Sequence, residues 1–538
     1  MSLLSIESLE ISYVSGASQT KAVKDIDLTM NSGEILGVVG ESGAGKSSIG
    51  LAVAGLLPTR TEMKGNIYLE DIPLHSLNET QWHTVRGKRM SIIFQEHTTS
   101  LNPLLTIEEH MLETLRVNES QLTKPQLQER ISNLLSRVEL TDLARIRDSY
   151  PHQLSGGQRQ RVVIALALSA NPALLIADEP VTALDVSTQY QIIKLLHNLS
   201  RSEKLAILLI THNMGVVSQI TDKLLVMKDG NIVERGKTSH VLSHPKEDYS
   251  KKLIQAVPKI DSSSGITSNF EKPIIEIRNL FHAYKDSSLF KRSQKMALFD
   301  INLTVHEGES VGIVGESGSG KTTIAKLLTG IQRIQSGNLT IAGTQVKSKA
   351  NFPKNLRTKV QMVFQDPHSS LNQRMTIQQH LFEALHKGNT SLTHKQLFEK
   401  STELLRLVEM PEQSMRRLPR EFSGGQKQRI VIARALSVDP TILICDEPTS
   451  ALDVSVQQVI LDLIKKLQKQ IGFTLVFISH DLPVVQSMCE TIVVLNKGKL
   501  VESANSRTFF QKPSSIYGKQ LIDMIPSIHW SSEHPQES

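Results

Sequence analysis

The chain has 538 residues, of which 39% are hydrophobic and 21% charged, and this composition excludes a disordered, collagen-like or low-complexity protein. Its 60 basic and 54 acidic residues leave a net charge of +6, an excess too small over this length to indicate a nucleic acid partner, although a membrane-surface partner remains compatible. The longest apolar runs, such as 49–57, fall far short of the roughly 18–20 residues that span a bilayer, so we expect no membrane-spanning segment.

Apolar runs predict the elements in chain order. The run at 35–39, which precedes glycines, predicts a buried strand, and a helix is expected over 47–57, ended by Pro58. Helical spacing with few strand signals covers 104–145. Further buried strands are predicted at 174–177 and 207–210. Strands that alternate with helices indicate an α/β sheet, into which 104–145 is inserted as a helical subdomain.

Three motifs occur twice, each returning roughly half a chain length later. They are GESGAGKS at 40–47 and GESGSGKT at 315–322, LSGGQRQR at 154–161 and FSGGQKQR at 422–429, and LLIADEP at 174–180 and ILICDEP at 442–448. Self-similarity at this distance indicates duplication of a whole domain.

The repeat also sets the expected domain boundaries. An extension after the motifs recurs, since Pro245, Tyr249, Leu253 and Pro258 return as Pro513, Tyr517, Leu521 and Pro526. The segment between the two halves is rich in serine and contains Gly265, a composition that favours a flexible linker. We therefore predict a first domain at 1–257, a linker at 258–273, a second domain at 274–528 and a polar tail at 529–538.

The two glycine-rich motifs predict phosphate-binding loops. Glycines allow backbone N–H groups to surround phosphate oxygens, a lysine neutralises the β and γ phosphates, a hydroxyl binds Mg²⁺, and the following helix offers its N-terminus. A chance glycine turn is the alternative for one match, but two matches between strand and helix leave it negligible. The predicted ATP-binding residues are Gly40, Glu41, Ser42, Gly43, Ala44, Gly45, Lys46, Ser47 and Ser48, and Gly315, Glu316, Ser317, Gly318, Ser319, Gly320, Lys321, Thr322 and Thr323.

Paired carboxylates follow a buried strand in each half. Asp178 and Asp446 are predicted to hold Mg²⁺ together with Ser47 and Thr322. Glu179 and Glu447 follow at once, where a carboxylate can orient and partly deprotonate the attacking water. A surface acidic pair is the alternative, and it is a minor one beside a phosphate loop.

The LSGGQ and FSGGQ runs at 154–158 and 422–426 resemble the signature of ATP-binding-cassette (ABC) ATPases. The resemblance covers nearly the whole chain twice and implies two tandem α/β ABC ATPase domains, each a core sheet with an inserted helical subdomain and a C-terminal extension. It implies that the signatures bind ATP through Ser155, Gly156, Gly157 and Gln158 in one half and Ser423, Gly424, Gly425 and Gln426 in the other.

The same resemblance assigns further residues by their matching positions. Gln95 and Gln365 match the Q-loop glutamines, which act in catalysis and bind the metal. His212 and His480 match the switch histidine, for which a purely structural role is the alternative. Residues that match the D-loop and the adenine-stacking aromatic are Asp185, Asp453, Tyr13 and Tyr284. For the two tyrosines, ordinary packing remains an alternative.

Other runs resemble the dipeptide, oligopeptide and nickel importer group. These are FQDPHSSLN at 364–372, its variant FQEHTTSLNP at 94–103 with His97 in place of proline, and YPHQLS at 150–155. The chain has two cysteines, Cys445 and Cys489, so it lacks the cysteine cluster that relatives often carry in the extension, and a reducing compartment is indicated. Asn213 also departs from the family, which usually has aspartate there, as Asp481 does.

The family resemblance implies that the two domains close head to tail, so that each ATP lies between the phosphate loop of one half and the signature of the other. Site one would combine Lys46, Ser47, Gln95, Asp178, Glu179 and His212 with Ser423, Gly424 and Gly425. Site two would combine Lys321, Thr322, Gln365, Asp446, Glu447 and His480 with Ser155, Gly156 and Gly157.

The resemblance also implies ATP and Mg²⁺ as cofactors and two transmembrane permease subunits as partners, through which a substrate-binding protein delivers the cargo. The chain would bind no cargo and no nucleic acid itself. The start, 1–12, lacks the basic region of a signal peptide. Because importer-type motifs occur here without a membrane-spanning run, we expect a peripheral protein at the cytoplasmic face of the inner or cell membrane, held by the permeases.

Three alternatives from other classes fit less well. A twin-cassette ATPase acting on ribosomes would have a long, basic helical segment between its cassettes, whereas this linker has sixteen residues. A DNA-repair cassette protein would need zinc-binding cysteines or coiled-coil insertions. A twin-cassette sugar importer ATPase would lack the Ser-Leu-Asn runs that follow Gln95 and Gln365.

Overall fold

The computed structural model describes residues 2–15, 18–95, 100–119, 121–182, 184–255, 257, 270–285, 294–347, 351–450, 452 and 454–525. The predicted tail, most of the predicted linker, His97 and Asp453 lie outside the described residues. The chain folds into two compact units, the first formed mainly by residues up to 257 and the second mainly by residues up to 525. They are the first and second unit below.

The first unit alternates strands and helices. Its strands are β1 (Leu4–Ser15), β2 (Ser18–Met30), β3 (Ile35–Val39), β4 (Thr61–Leu69), β5 (Ile72–Pro73), β6 (Met90–Ile93), β7 (Leu174–Asp178), β8 (Ala206–Thr211), β9 (Lys223–Lys228) and β10 (Asn231–Lys237). Its helices are α1 (Lys46–Val53), α2 (Glu79–Val85), α3 (Ile107–Asn118), α4 (Lys124–Arg137), α5 (Leu143–Asp148), α6 (Gly156–Ala167), α7 (Val186–Glu203), α8 (Met214–Ile220), α9 (Thr238–Ser243) and α10 (Asp248–Gln255), with 3₁₀ turns at Leu74–Ser76 and Pro151–Gln153.

The second unit repeats this order. Its strands are β11 (Pro273–Lys285), β12 (Gln294–His306), β13 (Ser310–Val314), β14 (Ser336–Ile341), β15 (Thr344–Val346), β16 (Val360–Val363), β17 (Ile442–Asp446), β18 (Thr474–Ile478), β19 (Thr491–Asn496) and β20 (Lys499–Asn505). Its helices are α11 (Lys321–Leu328), α12 (Leu356–Lys359), α13 (Pro367–Ser370), α14 (Ile377–Gly388), α15 (His394–Leu407), α16 (Gly424–Leu436), α17 (Val454–Ile471), α18 (Leu482–Met488), α19 (Ser506–Gln511) and α20 (Ile516–Asp523), with 3₁₀ turns at Glu412–Arg416 and Pro419–Glu421.

Each unit contains two sheets of identical topology. The smaller sheet is antiparallel, in the order β2-β1-β4-β5 and, in the second unit, β12-β11-β14-β15. The larger has the order β6-β7-β8-β3-β9-β10, which the second unit repeats as β16-β17-β18-β13-β19-β20. Its first five strands are parallel and the last is antiparallel.

Both faces of the larger sheet are buried, which explains its continuous apolar strands. In β8, Leu208 and Ile210 pack in the cluster that includes Ile49 of α1. Ile207 and Leu209 point to the opposite face, where they pack with the inserted helices α3 and α4 and with α6. The carboxyl ends of the parallel strands therefore meet at one edge, which is where ligands bind in such sheets.

The predicted helix at 47–57 is wrong at its end. Helix α1 stops at Val53, because Gly55 adopts a left-handed conformation with φ of 65°. The Gly55 N–H donates to Ala52 O and the Leu56 N–H to Leu51 O, the paired bonds of a Schellman cap. Gly55, and not Pro58, ends the helix.

The helical insertion predicted over 104–145 consists of α3, α4 and α5 and is followed by α6. Thr106 caps α3, since its Oγ1 accepts from the Glu109 N–H while Glu109 accepts from the Thr106 N–H. This reciprocal pair is a capping box. Among the described residues, we find no helix that combines the length and apolar character needed to cross a membrane.

Candidate functional site

The predicted phosphate loop connects β3 to α1 in the first unit and β13 to α11 in the second. Gly45 has φ of 97°, and a Cβ there would lie 2.2 Å from the Ala22 carbonyl oxygen. Gly320 has φ of 106°, and its Cβ would lie 2.5 Å from Leu298 Cδ2. Both positions therefore require glycine, since a side chain would be strained and would clash.

Each loop lysine donates hydrogen bonds to backbone oxygens of its own phosphate loop. Lys46 Nζ donates to Gly40 O and Glu41 O, both at 2.9 Å. Lys321 Nζ makes the equivalent bonds, 2.7 and 2.8 Å long. Burial lowers the pKa of Lys321, although the carboxylates of Glu447 and Asp446 oppose this. A buried ammonium here is the charge that phosphate oxygens would neutralise.

The hydroxyl and the aspartate predicted to bind Mg²⁺ lie together in each unit, whereas the glutamines predicted with them, Gln95 and Gln365, donate to Glu179 and Glu447. Thr322 Oγ1 donates to Asp446 Oδ1 at 3.4 Å, and Ser47 hydrogen-bonds Asp178. Burial raises the pKa of Asp178 to about 6 against the effect of Ser47, and the neighbouring Glu179 raises it further. Asp178 Oδ1 is buried without a hydrogen-bond partner among the described residues. Such an uncompensated carboxylate beside a hydroxyl fits a divalent cation.

Glu179 is the centre of a hydrogen-bonded cluster in the first unit. Gln95 Nε2 donates to Glu179 Oε2 at 2.9 Å, and His212 Nδ1 lies 2.9 Å from Glu179 Oε1. Thr182 Oγ1 donates to Oε2 at 2.9 Å. The sequence analysis missed Thr182, which belongs to no motif and whose one signal is a hydroxyl three residues after a predicted base.

The second unit repeats the cluster around Glu447. Gln365 Nε2 donates to Glu447 Oε2 at 2.8 Å, and His480 Nδ1 lies 3.2 Å from Oε1. Ser450 replaces the threonine, but its hydroxyl donates to the Glu447 backbone oxygen at 3.2 Å. The structure thus brings the predicted glutamine, glutamate and histidine together in both units.

The electrostatics keep both glutamates ionised. Burial raises the pKa of Glu179, but the hydrogen bond and charge of His212, with Thr182 and Lys46, outweigh it, so the pKa lies below its ordinary value. The pKa of Glu447 is also lowered, because His480 and Lys321 outweigh burial. An ionised carboxylate is the form that accepts a proton from water.

The backbone aims these carboxylates. Glu179 and Glu447 have φ of 49° and 47°, a left-handed conformation that costs roughly 1–2 kcal/mol for a residue with a side chain. The Glu179 N–H donates to Ile210 O at 2.8 Å, and the Glu447 N–H to Ile478 O at 2.9 Å. Bonds to the neighbouring strand hold the turn in place. Strain of this kind is often found at functional sites.

The residue after each switch histidine caps the following helix. Asn213 Oδ1 accepts from the Gly215 and Val216 N–H groups at 2.9 and 3.3 Å, and Asp481 Oδ1 accepts from the Val484 N–H at 3.3 Å. Asn213 therefore preserves the cap but not the charge. In the second unit, burial lowers the pKa of His480, but the bond and charge of Glu447 and the charge of Asp481 outweigh it and raise the pKa.

The signature serines begin α6 and α16. Ser155 and Gln158 form a capping box with bonds of 3.2 Å in each direction, and Ser423 with Gln426 repeats it. A Cβ on Gly157 would lie 2.4 Å from Thr188 Cγ2, so this glycine allows α6 to approach α7. The exposed N-termini of these helices suit an anion.

The predicted adenine-stacking tyrosines lie beside the phosphate loops. Tyr13 OH and Ser48 Oγ are 2.9 Å apart, and Tyr284 OH and Thr323 Oγ1 are 3.2 Å apart. Ser48 and Thr323 follow the predicted Mg²⁺ hydroxyls directly. The structure thus places both rings at the predicted ATP sites, where stacking stays a prediction.

Fold and site together define a tandem pair of P-loop ATPase units. The ABC transporter family model matches residues 23–182 and 298–450, and the chain belongs to this family. The model of the oligopeptide/dipeptide transporter C-terminal region matches residues 233–276. These matches confirm the predicted fold class, ATPase activity and importer group.

Two relatives match over nearly the whole chain. The peptidoglycan transport ATP-binding protein YejF of Agrobacterium fabrum is 38% identical, over 97% of this chain and 96% of its own length. The glutathione import ATP-binding protein GsiA of Escherichia coli (strain K12) is 35% identical, over 99% of this chain and 91% of its own. A solved dimeric ATP-binding cassette in a post-hydrolysis state, bound to ADP and Pi, matches 43% of this chain at 29% identity with a TM-score of 0.39.

Proposed function

We propose that this chain is the ATP-hydrolysing subunit of an ABC importer that moves peptides or peptide-like substrates across the inner or cell membrane. The observation that supports it most directly is the complete glutamine–glutamate–histidine cluster beside a phosphate loop in both units. The printed names of the relatives and the oligopeptide/dipeptide transporter match at 233–276 support the substrate class.

The residues of each unit divide the chemistry. Lys46 and Lys321 would bind the β and γ phosphates, and Mg²⁺ held by Ser47 and Asp178, or by Thr322 and Asp446, would neutralise phosphate charge. In this proposal Glu179 and Glu447 accept the proton of the attacking water. Gln95, Gln365, His212 and His480 orient those carboxylates through the hydrogen bonds described above.

Each site is completed, in this proposal, by the signature of the other unit. The uncapped backbone N–H groups at the start of α6 and α16 would bind the γ-phosphate as a second anion site. ATP would then hold the two units closed, and hydrolysis would remove the contact that holds them.

The proposed partners are two transmembrane permease subunits, which receive cargo from a substrate-binding protein. The chain would lie at the cytoplasmic face of the membrane, held by these permeases. In this proposal the permeases dock on the inserted helices, which are α3 to α5 in the first unit and α14 and α15 in the second. These helices follow Gln95 and Gln365 in the sequence, so that a docked permease would respond when the two units close on ATP.

The test is co-purification of the chain with its membrane partners, followed by reconstitution in vesicles. We expect ATPase activity that rises with a peptide ligand and its binding protein, and ATP-dependent uptake of that peptide. A parallel preparation with Glu179→Gln and Glu447→Gln is the control and should show neither. Recovery of the chain with ribosomes, and not with membranes, would contradict the proposal.

A further inference from the structure

The C-terminal extension of each unit reaches back to the phosphate loop. In the first unit this extension is α9 and α10, and the Glu41 backbone N–H donates to Tyr249 OH at 3.1 Å. In the second unit it is α19 and α20, and the Glu316 N–H donates to Tyr517 OH at 3.2 Å. The same contact therefore forms twice, between groups about 200 residues apart in the sequence.

The peptide group that the tyrosine binds also binds the loop lysine. Gly40 O and the Glu41 N–H belong to one peptide, whose oxygen accepts from Lys46 Nζ at 2.9 Å. Gly315 O accepts from Lys321 Nζ at 2.7 Å in the second unit. Because a peptide group is planar and rigid, the hydroxyl that fixes its N–H also fixes the direction of the carbonyl that holds the lysine.

A buried glutamate in turn anchors each extension. Glu234 accepts from the Lys246 and Glu247 backbone N–H groups at 2.9 and 3.3 Å, just before α10 begins at Asp248. Glu502 accepts from the Ser514 and Ser515 N–H groups at 2.7 and 3.0 Å. These bonds tie the residues just before the helix that bears the tyrosine to the last strand of the sheet.

The rings pack at the strand end that feeds the loop. Tyr249 packs against the cluster containing Val39, the last residue of β3, and Lys228 Nζ lies 5.2 Å from its ring centroid. Tyr517 packs against the cluster that includes Val314. Burial and the charge of Glu316 raise the pKa of Tyr517 to about 12, so its hydroxyl stays neutral and accepts the N–H bond without adding charge.

Packing alone would be served as well by phenylalanine, and it does not explain why the hydroxyl meets the same loop amide in both units. We propose that Tyr249 and Tyr517 are positioning residues for ATP binding, through which the C-terminal extension fixes the phosphate-loop peptide that orients Lys46 and Lys321. This inference rests on the proposed ATPase function and extends it to a segment outside the known motifs.

The test uses the full chain with Tyr249→Phe, Tyr517→Phe and both together, since these changes remove only the hydroxyl. We expect the Kd and KM for ATP to rise about three- to tenfold in the double variant, the size of one lost hydrogen bond per site, while kcat changes less than about twofold. Tyr68→Phe, in β4, is the matched control. Hydrogen exchange at the Glu41 and Glu316 amides should become faster in the double variant and stay unchanged in the control.

A second control separates positioning from packing. Ile254→Ala loosens the extension helix but keeps the Tyr249 hydroxyl, so it should lower the Tm more than Tyr249→Phe while raising the Kd less. The opposite ranking would overturn the inference, as would unchanged Kd and exchange in the double phenylalanine variant. That last result would leave normal ATP hydrolysis, and hence the proposed function, intact. A wild-type chain that binds no ATP would overturn both.

Discussion

Thr182 Oγ1 donates a hydrogen bond to the Glu179 carboxylate, whereas Ser450, its counterpart in the second unit, donates to a backbone oxygen. Among the residues that the structure describes, the proposed base of the first unit is therefore held by one more side chain than that of the second. The two sites, alike in their motifs, differ in how firmly this carboxylate is oriented.

This difference gives a prediction for Thr182. Thr182→Val removes the hydroxyl at nearly constant volume, and we expect ATP turnover by the first site to fall about three- to tenfold, because one bond that orients the base is lost. The measurement is ATPase activity in a Glu447→Gln background. Ser450→Ala in a Glu179→Gln background is the matched control, and an equal loss there would show that orientation of the carboxylate is not the cause.

Replacement of both proposed bases tests the chemistry itself. Glu179→Gln with Glu447→Gln should leave ATP binding intact and lower turnover by about a hundredfold or more, the scale of losing a positioned general base. Binding is measured by equilibrium titration with ATP and turnover by phosphate release. Turnover close to that of the wild type would exclude these residues from the role.

The glutamates that anchor the extensions predict a pH dependence of stability. Burial raises the pKa values of Glu234 and Glu502, but the hydrogen bonds they accept outweigh it, so both lie below the ordinary value. Their stabilisation is therefore complete above the unfolded-state pKa and is lost as the pH falls through the folded-state pKa. We expect the Tm to fall on acidification from about pH 5 to about pH 3, the range that runs from above the unfolded-state pKa of glutamate to below the lowered folded-state pKa.

The control for this pH dependence is a matched pair of variants. The Tm of the Glu234→Gln, Glu502→Gln double variant should fall less over the same pH range. Replacing the exposed Glu129 and Glu399 by glutamine should leave the dependence of the Tm on pH as in the wild type. Parallel Tm profiles for the wild type and the Glu234, Glu502 double variant would contradict the assignment.

The proposed head-to-tail arrangement can be tested by combining substitutions in the phosphate loop and in the signatures. If Lys46 and Ser423 serve one site, Lys46→Ala with Ser423→Arg damages that site twice, whereas Lys46→Ala with Ser155→Arg damages both sites. The second pair should therefore retain clearly less ATP, measured after gel filtration in the Glu179→Gln, Glu447→Gln background. Greater loss from the pair with Ser423 would refute this arrangement.

The sequence was sufficient to predict where those parts of the site that recur as motifs lie in the fold. The loop, the strand-end carboxylates and the residues that precede the helical insertion fall at one edge because the parallel order of β3, β7 and β8 requires it. The end of α1 was predicted wrongly, since Pro58 was the stronger signal and the left-handed turn at Gly55 ended the helix first.

Two other features depend on geometry that no local pattern specifies. Thr182 reaches the carboxylate because Glu179 turns through a positive φ, and Tyr249 meets Glu41 because β9, β10 and the extension bring the chain back to the end of β3. Motif spacing does not encode such long-range contacts. The recurrence of Tyr249 as Tyr517 indicated a shared feature but not its partner.

Asn213 and Asp481 cap equivalent helices, but only the aspartate can ionise. Because both sites are parts of one polypeptide, they are always present in equal amounts and differ at this position by a single ionisable group. The effects of a neutral and of an acidic neighbour on the switch histidine can thus be compared within one protein, at His212 and at His480. Exchanging the two residues, Asn213→Asp and Asp481→Asn, would move that difference from one site to the other without altering the total charge of the protein.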